Sequence, residues 1–102
     1  MKYIITESQL DTIYFEYLDF LFDGLTYDKN NSTPRNKIWK DNSGKIVLML
    51  KWTGSLWVEY ELWSTFKSFF DLDSYSVIQQ IMKDYFEGRL NLENIDPEPV
   101  WM

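Results

Sequence analysis

An α+β fold is what this sequence predicts, on three observations: a capped helical signature near the N-terminus, β-prone alternating runs between residues 37 and 62, and helical spacing again from Trp63 onward. The chain has 102 residues, 45% of them hydrophobic and 19% aromatic. That is enough apolar area for one core and too little chain for two, so a single domain over residues 1–102 is expected.

The first helix is announced by Thr6-Glu7-Ser8-Gln9, which has the S/T-x-x-E/Q form in which the Thr hydroxyl and the Gln side chain satisfy unpaired backbone amides. Ile5 before the cap and Leu10 beyond it fit a hydrophobic staple. From Glu7 to about Phe22 the polar residues Ser8, Thr12, Glu16, Asp19 and Asp23 recur at steps of three or four, a single narrow solvent stripe. The remaining circumference is apolar and wider than one packing face. Either the domain wraps this helix on several sides, or part of the arc, including Phe15 and Phe22, is a partner surface. Gly24 suits the helix end, and Tyr3-Ile4-Ile5 offers a possible short fourth strand.

Residues 26–36 are rich in Ser, Thr, Asn and Asp, contain Pro34 and show no periodicity, so a mobile loop is expected there. Lys37 to Lys40, Lys45 to Trp52 and Leu56 to about Leu62 then read as a three-stranded antiparallel meander joined by the turns Asp41-Asn42-Ser43-Gly44 and Thr53-Gly54-Ser55. In the middle strand, period-two alternation puts Ile46, Leu48, Leu50 and Trp52 on one face and Val47 and Met49 on the other. Two C-terminal helices follow. The first is short and starts behind a Ser64 cap; the second runs from an Asp73 or Ser74 cap through Glu87, with Gly88 as its stop. Pro97 and Pro99 make residues 96–102 an extended C-terminal tail.

Composition also bounds the chemistry. Without Cys or His there is no thiolate, no usual zinc ligand and no general base of the common neutral-pH kind, so no enzyme activity, cofactor or metal site is expected. Glu59 and Glu61 lie two apart on the expected third strand, where a solvated strand face is a better reading than a catalytic carboxylate pair. No apolar run reaches membrane-span length and the N-terminus turns polar too soon for a signal peptide, so no membrane association and a cytoplasmic location are expected.

The net charge of −6 is segmented: Lys29, Arg35, Lys37, Lys40, Lys45 and Lys51 make up six of the ten basic residues, while both ends of the chain are acidic. The stretch from Trp63 to Glu87 has a helix-turn-helix outline, with Tyr75, Gln79, Gln80 and Lys83 as groove residues, but Asp71, Asp73, Asp84 and Glu87 would face phosphates. Direct DNA binding is therefore not expected. The basic hairpin around Trp39 interleaves cations and an aromatic ring as a single-strand binding surface would, although cations near a turn more often keep edge strands from pairing.

Met1-Lys2-Tyr3-Ile4-Ile5-Thr6-Glu7-Ser8-Gln9 resembles the opening of many small proteins of tailed bacteriophages. The resemblance implies a phage gene product acting in the bacterial cytoplasm or on the particle. Surplus aromatic surface beside missing catalytic residue types leads to the expectation of a non-enzymatic interaction module, a phage accessory protein that binds a host or phage protein, or a second copy of itself, through Phe15, Phe22, Trp39, Trp57 and Trp101. The alternative is an acidic nucleic-acid mimic inhibiting a host enzyme such as a restriction or CRISPR nuclease.

Overall fold

The computed structural model describes residues 7–102, so the expected Tyr3-Ile4-Ile5 strand and the Thr6 cap lie outside the described residues. The described residues are α+β: three helices and a five-stranded mixed sheet of order β1-β2-β3-β4-β5. The elements are α1 (Glu7–Leu21), β1 (Thr26–Tyr27), β2 (Asn36–Lys40), β3 (Ile46–Lys51), β4 (Ser55–Glu59), α2 (Tyr60–Phe69), α3 (Tyr75–Arg89) and β5 (Asp96–Val100).

The three expected strands are β2, β3 and β4, but the sheet gains a strand at each edge. On one side the segment expected to be a mobile loop folds back: Thr26 and Tyr27 pair with Lys40 and Trp39. Beyond β1, the Asp28 amide donates to the Ile38 carbonyl at 2.8 Å, and the Ile38 amide donates to Ser32 Oγ at 2.9 Å. The outward backbone groups of β2 at Ile38 are thereby satisfied within the chain. Composition hid this because Ser32 and Asp28 supply through side-chain and loop contacts what a longer strand would supply by its ladder.

On the other side, the expected C-terminal tail is β5, parallel to β4, with Leu56 opposite Pro97 and Val58 opposite Pro99. The Asp96 amide donates to the Gly54 carbonyl at 2.8 Å, so alternate residues from Asp96 point toward β4, and the prolines occupy the positions whose amides would point outward. Proline is tolerated there because the missing N–H has no ladder partner to lose. The outward Pro97 carbonyl accepts from Gln79 Nε2 of α3 at 3.0 Å. This edge offers little to an added strand.

Strand β3 departs from simple alternation. Trp39 pairs with Leu48 and Lys40 with Ile46, leaving Val47 as an extra residue in a bulge. Val47 thus joins Leu48 in the core cluster while Ile46 stays outside it, which reverses the faces expected for those two residues. A bulge shifts the side-chain phase by one, and nothing in the local sequence marks it.

Helix α2 starts five residues earlier than expected, its cap being Glu59 rather than Ser64. Glu59, at the end of β4, is its N-cap and accepts from the Leu62 amide at 3.1 Å. Strand passes into helix without a loop, so Tyr60 to Leu62 are helical. Helix α3 begins at the Ser74 cap, whose Oγ accepts from the Val77 amide at 3.4 Å, and continues through Gly88 to Arg89. Its stop is Asn91, whose φ of 54° is the left-handed conformation that asparagine adopts more readily than most residues.

The core lies between the sheet and the helices: Leu18 of α1 and Phe22 just after it, Leu48, Leu56 and Val58 of the sheet, and Phe66, Ile78, Met82 and Phe86 of α2 and α3 are all buried in one cluster. Arg89 ties α1 to α3, donating to the Phe22 carbonyl at 3.1 Å and to the Tyr85 hydroxyl, which in turn donates to Asp19 Oδ1. Burial, and then the Asp19 carboxylate, push the Tyr85 phenol above its ordinary pKa.

At the β1 edge, Asp28 Oδ2 holds the Lys40 ammonium at 2.8 Å and accepts from Asn31 Nδ2 at 2.7 Å. Lys40 first, then Asn31, draw its carboxyl down to about 2. A carboxyl with a depressed folded-state pKa stabilises the fold above its unfolded value, near 4, and that contribution is lost as pH falls through about 2. Asp28→Asn should therefore lower the melting temperature at neutral pH, with the difference from the wild type shrinking between about pH 4 and pH 2; melting curves across that range check it.

Candidate interaction surface

The five aromatic residues expected to bind a partner do not come together. Phe22 is 1% exposed and meets Phe86 edge to face at 5.0 Å, and Trp39 is buried with its ring against Tyr27 at 5.4 Å. Both are core rather than partner-binding residues, because α3 and β1 cover the arcs that the sequence leaves unassigned. Phe15 is half-buried against Tyr85 at 5.5 Å. Trp57 is half-buried on the face of the sheet away from the helices, with Lys51 Nζ 4.4 Å from its ring centroid. Trp101 is exposed beyond β5 and stacks on Tyr60 at 4.1 Å.

What the fold does assemble is a different aromatic patch. Tyr17 and Phe20 of α1 lie three apart, and Tyr17 stacks on Phe69 of α2 with centroids 3.9 Å apart and planes 12° from parallel. Phe20 stands 5.9 Å from Tyr17. Phe20 is 72% exposed and Phe69 61%. Behind them Tyr17, Phe69 and Phe70 continue into the core through Phe66. The patch is therefore anchored from beneath while its outer rings stand in solvent. A shallow concavity beside it is lined by Tyr17, Ser64, Thr65, Ser68 and Phe69.

A signal for Phe20 was present in the sequence. It stands four residues after Glu16 and three before Asp23, so at helical spacing it borders the polar stripe rather than the core. Phe69 could not be found that way, because its pairing with Tyr17 depends on how α1 meets α2.

Glu59 and Glu61 are not a strand-face pair. Glu59 is buried, caps α2 and has Lys45 Nζ at 3.8 Å from its Oε1, while Glu61 sits in the first turn of α2. Three of the four groove residues of the helix-turn-helix outline have partners within the chain: Gln79 on Pro97, Gln80 on Asp84 and Tyr75 against Trp63. Among the described residues no cluster of His, Cys, Asp and Glu could hold a metal ion, and no helix is long and apolar enough to cross a membrane. No protein family, curated protein or solved structure matches the chain.

The contrast between Phe22 and Phe20 gives a direct test. Phe22→Ala should cost about 3–5 kcal/mol of stability, as truncation of a buried ring does, whereas Phe20→Ala should leave the unfolding free energy within about 0.5 kcal/mol of the wild type. Urea denaturation of the two variants checks it.

Proposed function

We propose that the protein is a non-enzymatic interaction module that binds another protein through the Tyr17, Phe20 and Phe69 patch. The observation that carries this reading is the stacked Tyr17–Phe69 pair with Phe20 beside it, its outer rings exposed on a rigid support. Aromatic rings that stay in solvent on one side and are braced by the core on the other lose little side-chain freedom when a partner covers them. The partner surface that suits them is apolar at its centre. Glu16, Asp19 and Asp23 neighbour Phe20 in sequence, which favours a partner bearing Lys or Arg at the rim.

The resemblance of residues 1–9 to tailed-phage proteins makes a host or phage protein the partner in this reading. The mimic alternative would depend on charge alone, whereas this interface depends chiefly on apolar contact. The experiment is affinity capture from bacterial lysate with the wild type and with a Phe20→Ser/Phe69→Ser variant, alongside thermal melting and sedimentation of both. The wild type should retain a protein, or self-associate, where the variant does neither, and the two melting temperatures should agree. Equal capture and equal mass for both would overturn the assignment.

A further inference from the structure

Three of the six basic residues of the middle segment, Arg35, Lys37 and Lys51, are brought to one site by the sheet. At the end of the sheet where β3 turns into β4, a concavity of about 310 Å3 is lined by Arg35, Lys37, Leu50, Lys51 and Trp52, with Pro34, Gly54 and Glu93 completing it. Trp52 is 73% exposed. Its amide donates to the Arg35 carbonyl at 2.8 Å, which holds the Trp52 backbone beside the Arg35 segment. The turn itself needs Gly54: its φ is +94°, and a Cβ there would stand 3.2 Å from the Asn94 carbonyl oxygen.

Arg35, Lys37 and Lys51 form none of the ion pairs found among the described residues, which are Lys40–Asp28, Lys45–Glu59 and Arg89–Asp19. Three cations against Glu93 leave this end locally positive on a chain of net charge −6. Lys51 also lies over Trp57 at 4.4 Å, so positive charge continues from the concavity onto the open face of the sheet. There Ile38, Met49 and Trp57 form a cross-strand row outside the helical core. Trp52 makes no aromatic contact among the described residues, unlike Trp39, Trp57, Trp63 and Trp101, each of which has a ring or cation partner.

We propose that this concavity binds single-stranded nucleic acid, with Arg35, Lys37 and Lys51 on the phosphates and a base stacked on Trp52. Cations alone would suit any anion. A flat, exposed ring lining the same concavity adds the feature that a base uses and a carboxylate does not. The expectation that the chain avoids DNA rested on the acidic α2–α3 unit, which lies on the other layer. The acidic helices limit affinity for a long polyanion more than for a short strand held at the sheet end. Of the basic hairpin of the sequence, Arg35 and Lys37 belong to this site, with Trp52 in the place expected for Trp39, whereas Lys40 and Lys45 pair with Asp28 and Glu59. This proposal is independent of the Phe20 patch.

The test is fluorescence anisotropy of the full chain with labelled oligothymidylate, oligouridylate and polyglutamate across a salt series. Binding of either oligonucleotide should weaken with a log–log salt slope of about −2, roughly 0.7 for each of three phosphates neutralised. Lys37→Ala should reduce that slope by about 0.7. Trp52→Ala should weaken binding roughly 5- to 150-fold, with the slope kept and the melting temperature unchanged, since the ring is exposed. No oligonucleotide binding at about 50 mM salt, wild-type affinity in Trp52→Ala, or polyglutamate bound as tightly with the same Trp52 dependence would each overturn the proposal, the last by showing a site for acidic peptides.

Discussion

The parallel pairing of β4 with β5 is the constraint on which the rest of the architecture depends. Parallel neighbours cannot be joined by a tight turn and need a crossover that travels back along the sheet. Helices α2 and α3 are that crossover, and their path puts Phe66, Ile78, Met82 and Phe86 over Leu56 and Val58. Without β5 the meander would remain, but the helical layer would lose the strand that returns the end of α3 to the sheet. The pairing also buries Ile95 and Pro97, so the strand is held by apolar burial as well as by its ladder.

Glu59 makes the start of that crossover abrupt. It pairs across from Val100 as the last residue of β4 and caps α2 with its own carboxylate. A negative group at a helix N-terminus is favoured by the unpaired amides there, and Lys45 lies near enough to offset part of the charge in a buried setting. The direct passage from strand to helix fixes the direction of α2 and with it the side on which Phe69 emerges. The aromatic patch on α1 and α2 is therefore a consequence of sheet topology as much as of the helices that bear it.

The two candidate surfaces differ in physical character because they sit on different layers. On the helical layer, aromatic rings are bordered by carboxylates, which suits an apolar contact with a basic rim. On the sheet layer, cations surround a single free ring, which suits a polyanion with flat bases. The sheet edges compete with neither. One is closed by the Asp28 and Ser32 contacts to β2, the other by two prolines and Gln79.

Helix α1, the β2–β3–β4 meander, the Ser74 cap of α3 and the segregation of charge were all determined by the sequence itself, because each rests on contacts or periodicities within a few residues. Local pattern also placed Phe20 beside the polar stripe, and it excluded cysteine and histidine chemistry outright. Only the tertiary structure decided that residues 96–100 are a strand, that Val47 rather than Ile46 faces the core, that Phe22 and Trp39 are buried, and that Tyr17 meets Phe69 and Trp52 joins Arg35 and Lys37. The physical reason is common to all of these. A proline's fitness for a strand depends on which way its missing amide would point, a bulge on the register of a neighbour, and a ring's exposure on what a distant element lays over it, and none of these is a property of the residues adjacent in the chain.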